Sequence, residues 1–240
     1  MAKLAQVIRG IKITQASEPG ARHNQHLPIT PELLRDIKHN WQKQDITEDK
    51  IMLWAAFTTC FFGFLRSGEL CCQNSSFDST SDLAVNDVTL DSITNPQVIR
   101  IHLKVSKTDP FREGTDIYIA RTGDDLCPVA ALLTWLVRRG IQQGPLFHFQ
   151  RGLPLTRPKF VTELRQALKA SGTNPENFSG HNFRSGAATT ASSQGISDAQ
   201  IKLLGRWRSS AYQRYIKPSS SQLARLSSRL SGRQKGPNKL

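Results

Sequence analysis

The residues from Ser179 to Ala188 read Ser-Gly-His-Asn-Phe-Arg-Ser-Gly-Ala-Ala. Their small side chains predict a buried helix, which the chain enters through Gly180. His181 and Arg184 are three residues apart, so on one turn of helix their side chains lie side by side. A guanidinium offers a planar fork of donors and an imidazole can donate or relay a proton, so the pair predicts a phosphate clamp. The same spacing also arises by chance, as a surface arginine beside a core histidine.

Composition favours a polyanionic partner. Of the 240 residues, 38% are hydrophobic, which is enough for the core of one large domain. Lysine and arginine number 32 against 19 acidic residues, which gives a formal net charge of +13. Residues 201–240 contain ten basic residues and no acidic one. Such a run is either a solvated face or a surface that lies along phosphates, and its length favours the second reading.

The four cysteines are predicted to be reduced thiols of an intracellular protein. They show no paired metal-ligand spacing, and two of them are adjacent. The set is Cys60, Cys71, Cys72 and Cys127. Residues 1–20 lack the apolar stretch of a secretory signal peptide, and the longest apolar run, 51–65, is short for a membrane span. We therefore expect a soluble protein of the cytosol or nucleus, with no membrane contact and no metal site.

Two helices are predicted in the first third of the chain. Residues 30–32, Thr-Pro-Glu, combine an N-cap, a proline at the first helical position and an acid in the first turn. A longer apolar helix begins near Thr47 and ends at Gly63. Arg66 follows it, and a charge at the end of an apolar helix needs a partner. Either Glu69, three residues further on, or a bound phosphate fits that place.

Three short runs, 85–90, 98–105 and 116–120, alternate apolar and polar residues. This alternation predicts a small antiparallel sheet. The turn-rich residues 106–114 connect the second run to the third and place Lys107 at the tip of a hairpin. A lysine at such a tip is ordinarily only solvated, so its position alone does not assign it a role.

The second half of the chain predicts further helices. Residues 128–139 and 157–170 have helical spacing, and Ser197 opens another helix with a capping box. Residues 211–217 predict a short helical piece, which Pro218 stops. An apolar stripe on a basic helix is predicted for Leu223, Leu226 and Leu230. Together these elements predict an α+β protein that is mainly helical.

Six separated residues occur in an order that resembles the tyrosine recombinase (phage integrase) family. They are Arg66, Lys107, His181, Arg184, Trp207 and Tyr215. The motifs around them also look like those of eukaryotic mobile-element recombinases of the Crypton and DIRS type. These motifs are Gly63–Glu69, Ser106–Pro110, Gly180–Arg184 and Leu204–Trp207. The resemblance runs from about Leu27 to Leu230.

The resemblance implies a fold and a domain organisation. Residues 28–231 would form a mainly helical α+β catalytic domain with a small antiparallel sheet and a hairpin. Residues 1–27 would be a linker or the remnant of a missing N-terminal DNA-binding domain, since a domain of typical size does not fit into them. Residues 232–240 would be a basic tail.

The resemblance also implies a role for most of these residues. Arg66 and Arg184 would clamp the scissile phosphate, and Lys107 would protonate the leaving 5′ oxygen. His181 would be the histidine of the family's His-x-x-Arg motif. Tyr215 would be the nucleophile.

The place before the nucleophile is open. In the family a His or Trp usually follows a glycine directly and contacts the phosphate, but here Arg206 stands between Gly205 and Trp207. Trp207 is the expected counterpart, and Arg206 remains a candidate for the same place. Glu69 matches the structural acid that follows the first arginine of the family.

Two tyrosines are candidates for the nucleophile by position. Tyr212 and Tyr215 are three residues apart and could face the same side, so helix geometry does not choose between them. The spacing that the family keeps from the preceding glycine selects Tyr215, which lies ten residues beyond Gly205. Tyr212 is then expected to pack with Ile216 against the core.

The implied activity is DNA strand transfer through a covalent 3′-phosphotyrosyl link. A phenol is a weak nucleophile, so the site must neutralise the phosphate, and two arginines do this without titrating. No metal or small-molecule cofactor is implied, because the phosphotyrosine conserves the energy of the phosphodiester. A type IB topoisomerase would share this chemistry, and a catalytically silent DNA-binding module would share the basic surface. The complete set of candidate residues favours an active enzyme.

The implied partner is double-stranded DNA, bound by a dimer to tetramer of the chain. The basic residues expected to contact DNA are Lys104, Arg206, Arg208, Arg214 and Lys217. Resemblance to eukaryotic elements places the protein in the nucleus, whereas a prokaryotic source would place it in the cytosol.

Overall fold

The computed structural model describes residues 27–105, 111, 113–140 and 142–216. This part of the chain forms seven α-helices and one three-stranded antiparallel sheet, which confirms the predicted α+β class. The helices are α1 (Pro31–Gln42), α2 (Glu48–Phe62), α3 (Ser67–Leu70), α4 (Pro128–Arg139), α5 (Arg157–Ala170), α6 (Asn182–Ser193) and α7 (Asp198–Leu204). The strands are β1 (Val88–Leu90), β2 (Val98–Leu103) and β3 (Thr115–Ala120).

Side-chain caps begin three helices where the sequence predicts them. The Oγ1 of Thr30 accepts the backbone N–H of Leu33 at the start of α1, and the Oγ1 of Thr47 accepts that of Lys50 at the start of α2, both at 3.3 Å. Ser197 forms a capping box at the start of α7. The N–H groups in the first turn of a helix have no acceptor within that helix. The capping oxygens supply one, so they fix where the helices begin.

The core is built around α2. Between Met52 and Phe61 every residue of this helix except Trp54 is buried. The ring of Phe57 lies 5.2 Å from that of Phe160 on α5 and 5.6 Å from that of Phe183 on α6, measured between centroids. Burying one such ring contributes about 2–3 kcal/mol. Helices α5 and α6 are therefore held on α2 by a shared aromatic cluster.

Helix α6 is the buried helix that the sequence predicts, and Gly186 determines how closely it packs. A Cβ at this position would lie 1.8 Å from the backbone oxygen of Ile29. Ile29 is fully buried, and its N–H donates to the carbonyl oxygen of Asn182 at 3.1 Å. Contact between main chains therefore fixes α6, and with it Arg184, relative to the segment that leads into α1.

The sheet has the order β1-β2-β3. Ile99 of β2 is paired with Ile119 of β3, and Ile101 with Ile117, and all four side chains are buried. Arg100, between the two β2 isoleucines, is exposed. This is the alternation that the sequence predicts for a sheet with one face on the core.

The first strand is shorter than predicted. Residues 85–87 form a 3₁₀ turn, because the carboxylate of Asp87 accepts the N–H of Ala84 at 2.7 Å, and the strand begins only at Val88. The second strand ends at Leu103, two residues before the predicted end. The hairpin tip with Lys107 lies outside the described residues.

The C-terminal part differs in one respect from the prediction. The short helical piece predicted for residues 211–217 is a 3₁₀ helix, Ser210–Tyr215. The predicted leucine stripe, the predicted linker up to residue 26 and the predicted basic tail lie outside the described residues.

All four cysteines are buried free thiols. Within the described ranges no helix combines the length and apolar character that a bilayer span requires.

Candidate active site

Four segments bring the described site candidates together. They are α3 with the residue before it, the first turn of α6 with the residue before it, the turn after α7, and the 3₁₀ helix that follows this turn. In chain order they supply Arg66 and Glu69, His181 and Arg184, Arg206 and Trp207, and Tyr215. The contacts of these side chains define the site.

Main-chain contact joins the first two segments. The N–H of Ser67 donates to the carbonyl oxygen of Gly180 at 3.2 Å. A Cβ on Gly180 would lie 1.8 Å from the Oγ of Ser67, so the approach requires glycine. Arg66 and His181 are the neighbours of these two residues along the chain, and the contact therefore fixes their relative position.

Glu69 is the centre of a buried charge cluster. Its side chain is 5% exposed. Its Oε1 lies 2.9 Å from Nη1 of Arg66, and its Oε2 lies 3.3 Å from Nη2 of Arg206 and 3.5 Å from Nη1 of Arg184. Oε2 also accepts the backbone N–H of Arg66 at 2.9 Å. One carboxylate therefore contacts three guanidinium groups, which leaves an excess of positive charge.

The cluster keeps Glu69 ionised. Burial by itself would raise the pKa of this carboxyl. The charge of Arg206, the hydrogen bond from the Arg66 backbone and the charges of Arg184 and Arg66 outweigh burial, so the pKa lies below its ordinary value of 4.5. At neutral pH the carboxylate is therefore a permanent partner for the arginines.

Arg184 is buried, with 1% of its side chain exposed. Its Nη1 donates to the carbonyl oxygen of Phe64 at 3.1 Å, and its Nη2 donates to that of Gly205. Its guanidinium carbon lies 4.5 Å from the centre of the Trp207 ring, a cation–π contact. Burial lowers the pKa of Arg184 to about 10, which still leaves it charged at neutral pH.

The structure separates the two candidates for the place after Gly205. Trp207 lies against Arg184 and Tyr215, with its ring centroid 6.1 Å from that of Tyr215. Arg206 turns to the other side and contacts Glu69. A Cβ on Gly205 would lie 1.5 Å from the Trp207 ring, so glycine is what admits the ring here. Of the two, the tryptophan is the side chain beside the tyrosine.

Tyr215 lies next to His181. Its hydroxyl is 2.8 Å from Nε2 of the imidazole, and the two ring centroids are 5.8 Å apart. The hydroxyl of Thr189 on α6 donates to the carbonyl oxygen of Tyr215 at 2.9 Å and holds the end of the 3₁₀ helix. A tyrosine oxygen is thereby placed beside an imidazole that can accept or donate a proton.

Tyr212 has different surroundings. It is 8% exposed, belongs to the hydrophobic core and packs on Trp207 with ring centroids 5.9 Å apart. The expectation that Tyr212 packs against the core is therefore met. Of the two tyrosines, Tyr215 is the one whose hydroxyl touches another candidate site residue.

A cleft of about 960 Å³ opens beside the cluster. Arg66, Glu69 and His181 line it, and Arg66 is the most open of the three clustered arginines, with 24% of its side chain exposed. Arg157, at the first position of α5, lines the same cleft and is exposed. The sequence reasoning missed Arg157, because an arginine at a helix start has no distinguishing pattern.

Of the other predicted DNA contacts, Lys104 and Arg208 have described side chains, and neither lines this cleft. Lys104 pairs with Asp87 at 2.7 Å and donates to two carbonyl oxygens, those of Ser79 and Asp82. Arg208 is exposed. The side chain of Arg214 lies outside the described part, as do the whole of Lys217 and the candidate general acid Lys107. Their DNA contacts stay predictions.

Solved structures of other proteins share this fold. The XerA recombinase matches with a TM-score of 0.60 and 17% identity, over 91% of this chain and 68% of that one. The XerH recombinase bound to its difH substrate matches with 0.61 and 17%, over 85% and 54%. A lambda integrase dimer bound to a core site matches with 0.57 and 19%, over 84% and 51%. No family model matches the chain, and no curated protein matches its sequence.

The fold is that of the tyrosine recombinase catalytic domain. The chain spans about half the length of XerH and of the lambda integrase. Within the described residues no group of three or more His, Cys, Asp or Glu side chains is placed to hold a metal ion. What the site presents is a tyrosine hydroxyl, an imidazole and a cluster with more guanidinium groups than carboxylates.

Proposed function

We propose that the protein is a site-specific DNA recombinase or integrase that cleaves and rejoins strands through a covalent 3′-phosphotyrosyl intermediate. The observation that carries the proposal is the contact between the Tyr215 hydroxyl and His181, 2.8 Å long, beside the arginine cluster. The likeness of the fold to that of solved tyrosine recombinases supports it.

In the proposed cleavage step, the Tyr215 oxygen attacks the phosphorus of a DNA phosphodiester. A bond from this oxygen to phosphorus forms while the bond to the 5′ oxygen breaks. His181 accepts the phenol proton, since its Nε2 is within hydrogen-bond reach. The leaving 5′ oxygen takes up a proton, and Lys107 is proposed as its donor. Rejoining is the reverse attack by a 5′ hydroxyl.

The arginines are proposed to hold the phosphate. Arg66 lines the cleft, and Arg184 is buried against Trp207 and contacts Glu69, which also lines the cleft. Charge that develops on the phosphoryl oxygens would meet cations that Glu69 and main-chain carbonyls already hold in place. Preorganised donors of this kind stabilise a transition state because they do not reorganise as the reaction proceeds.

The proposed partner is double-stranded DNA, bound by a dimer to tetramer. The net charge of +13 supports a polyanionic ligand. Similar structures were determined as a dimer on a core site and as a tetramer on a Holliday junction. The resemblance of the sequence motifs to those of Crypton and DIRS recombinases supports a role in a mobile element of that type. Such a role would place the protein in the nucleus.

The proposal is tested with nicked DNA duplexes that have a randomised central sequence. Cleavage near the nick releases a short strand fragment that diffuses away, so the strand cannot be rejoined and the covalent adduct accumulates. The unsubstituted protein should give a covalent protein–DNA band on a denaturing gel. Tyr215→Phe keeps the ring, removes the attacking oxygen and should give none, whereas Tyr212→Phe should still give the band. DNA binding without any adduct would indicate a silent binding module, and a phosphotyrosine mapped to Tyr212 would overturn the choice of nucleophile.

A further inference from the structure

Arg206 points into the protein. Its side chain is 15% exposed. Its Nη1 donates to the carbonyl oxygens of Gly63 at 3.1 Å and Leu204 at 3.3 Å, and its Nη2 contacts the carbonyl oxygen of Phe64 and Oε2 of Glu69, both at 3.3 Å. A side chain engaged in four such contacts is poorly placed to lie along a DNA backbone.

Two of these acceptors are shared with Arg184. The carbonyl oxygen of Phe64 accepts from both side chains, at 3.1 Å from Nη1 of Arg184 and 3.3 Å from Nη2 of Arg206. The Oε2 of Glu69 lies 3.5 Å and 3.3 Å from the same two nitrogens. The place of one guanidinium therefore depends on the place of the other.

We propose that Arg206 is a positioning residue of the strand-transfer site, which holds Glu69 and the Phe64 carbonyl so that Arg184 stays aligned and Arg66 stays turned to the cleft. This inference rests on the proposed function and replaces the expected DNA contact of Arg206. Arg206 acts on the phosphate through Arg184 and Arg66.

The backbone at Arg206 supports this role. Its φ is 55°, a left-handed conformation that is uncommon for a residue with a Cβ. The turn sends Arg206 toward Glu69 and Trp207 toward Arg184 and Tyr215. Arg206, the residue between Gly205 and Trp207, is therefore accommodated with its side chain directed toward the Glu69 carboxylate.

Charge balance gives the physical reason for such a residue. Glu69 contacts Arg66, Arg184 and Arg206, and its charge also acts on the buried thiol of Cys60. With all three arginines present, the arginines and Glu69 together carry a formal net charge of +2, which favours a phosphate in the neighbouring cleft. Without Arg206, Glu69 would neutralise a larger share of the charge on Arg66 and Arg184.

The first test uses Arg206→Gln, with Arg138→Gln as a matched control, since Arg138 pairs with Glu48 on the surface. Adduct formation is measured on the nicked duplexes at saturating DNA, and affinity is measured separately. For Arg206→Gln the adduct rate should fall on the order of tenfold or more, the scale on which groups that orient site residues act. DNA affinity should be unchanged. A loss of affinity with an unchanged rate at saturation would overturn the proposal and restore the DNA contact.

The second test does not need catalysis. Titration of the Glu69 carboxyl, followed by carbon-13 NMR, should move to higher pH in Arg206→Gln and stay in place in Arg138→Gln. Arg206→Lys keeps the charge and loses the planar fork, so it should restore the titration and only part of the rate. If the Glu69 carboxyl titrates at the same pH in Arg206→Gln as in the unsubstituted protein, the positioning role proposed for Arg206 is refuted. Absence of any adduct from the unsubstituted protein refutes the proposed function alone.

Discussion

Replacing Glu69 by glutamine should destabilise the fold by about 3–5 kcal/mol, the usual cost of leaving a buried charge without its partner. Glutamine keeps the shape of the side chain and can still accept the backbone N–H of Arg66, which lies 2.9 Å from Oε2. What it removes is the negative charge that compensates Arg184, with 1% exposure, and Arg206, with 15%.

Urea denaturation followed by tryptophan fluorescence measures this effect. With a slope of about 3 kcal/mol per molar urea for a domain of this size, the midpoint should fall by roughly 1–1.7 M. Glu48→Gln is the control, because Glu48 pairs with Arg138 at a more exposed site and such pairs contribute about 0–1 kcal/mol. Equal midpoints for the two variants would refute the view that Glu69 compensates buried charge.

The pH dependence gives an independent check. The pKa of Glu69 is lower in the folded protein than its ordinary value of 4.5, so its contribution is fully present above that value. It is lost as the pH falls through the folded pKa. The difference in stability between the unsubstituted protein and Glu69→Gln should therefore be constant near neutral pH and shrink below about pH 4.5. A difference that grew on acidification would contradict the direction of the shift.

Three further outcomes are expected. Arg184→Lys, which keeps the charge and loses the planar fork, should lower the adduct rate about 100-fold while changing DNA affinity little, and a near-normal rate would show that Arg184 only supports the fold. DNA affinity measured against salt should give a log–log slope of about −5 if roughly six phosphates are contacted, and a slope near zero would exclude a nucleic-acid partner. Gly186→Ala should lower the thermal midpoint well below that of Gly68→Ala, because a Cβ on Gly186 meets the Ile29 carbonyl oxygen at 1.8 Å whereas one on Gly68 meets nothing within 4 Å.

Local signals in the sequence predicted much of the fold. Thr30, Thr47 and Ser197 cap the helices that they were predicted to open, because capping depends on neighbours within a few residues. The alternation of apolar and polar residues predicted which face of β2 lies on the core, because this pattern also depends only on residues close together in the chain. The small residues of α6 predicted its burial, although the contact between Gly186 and Ile29 joins segments that are far apart in the chain.

The cluster around Glu69 could not be predicted in this way. Glu69 and Arg206 are distant in the sequence, and no periodicity links them. The choice between Arg206 and Trp207 depends on one left-handed backbone conformation, which the residue types alone do not determine. The family resemblance supplied the candidates, and the geometry shows which of them touch.

The contact between Ser67 and Gly180 has an evolutionary consequence. A backbone hydrogen bond and the fit of the Ser67 side chain against Gly180 set the spacing between the two halves of the arginine cluster, so this spacing does not depend on the side chains of the chain between them. The sheet, the hairpin and α4 can accumulate substitutions or change length without altering it. Divergent descendants of this chain should therefore keep a glycine at position 180 even where little else of the sequence remains recognisable.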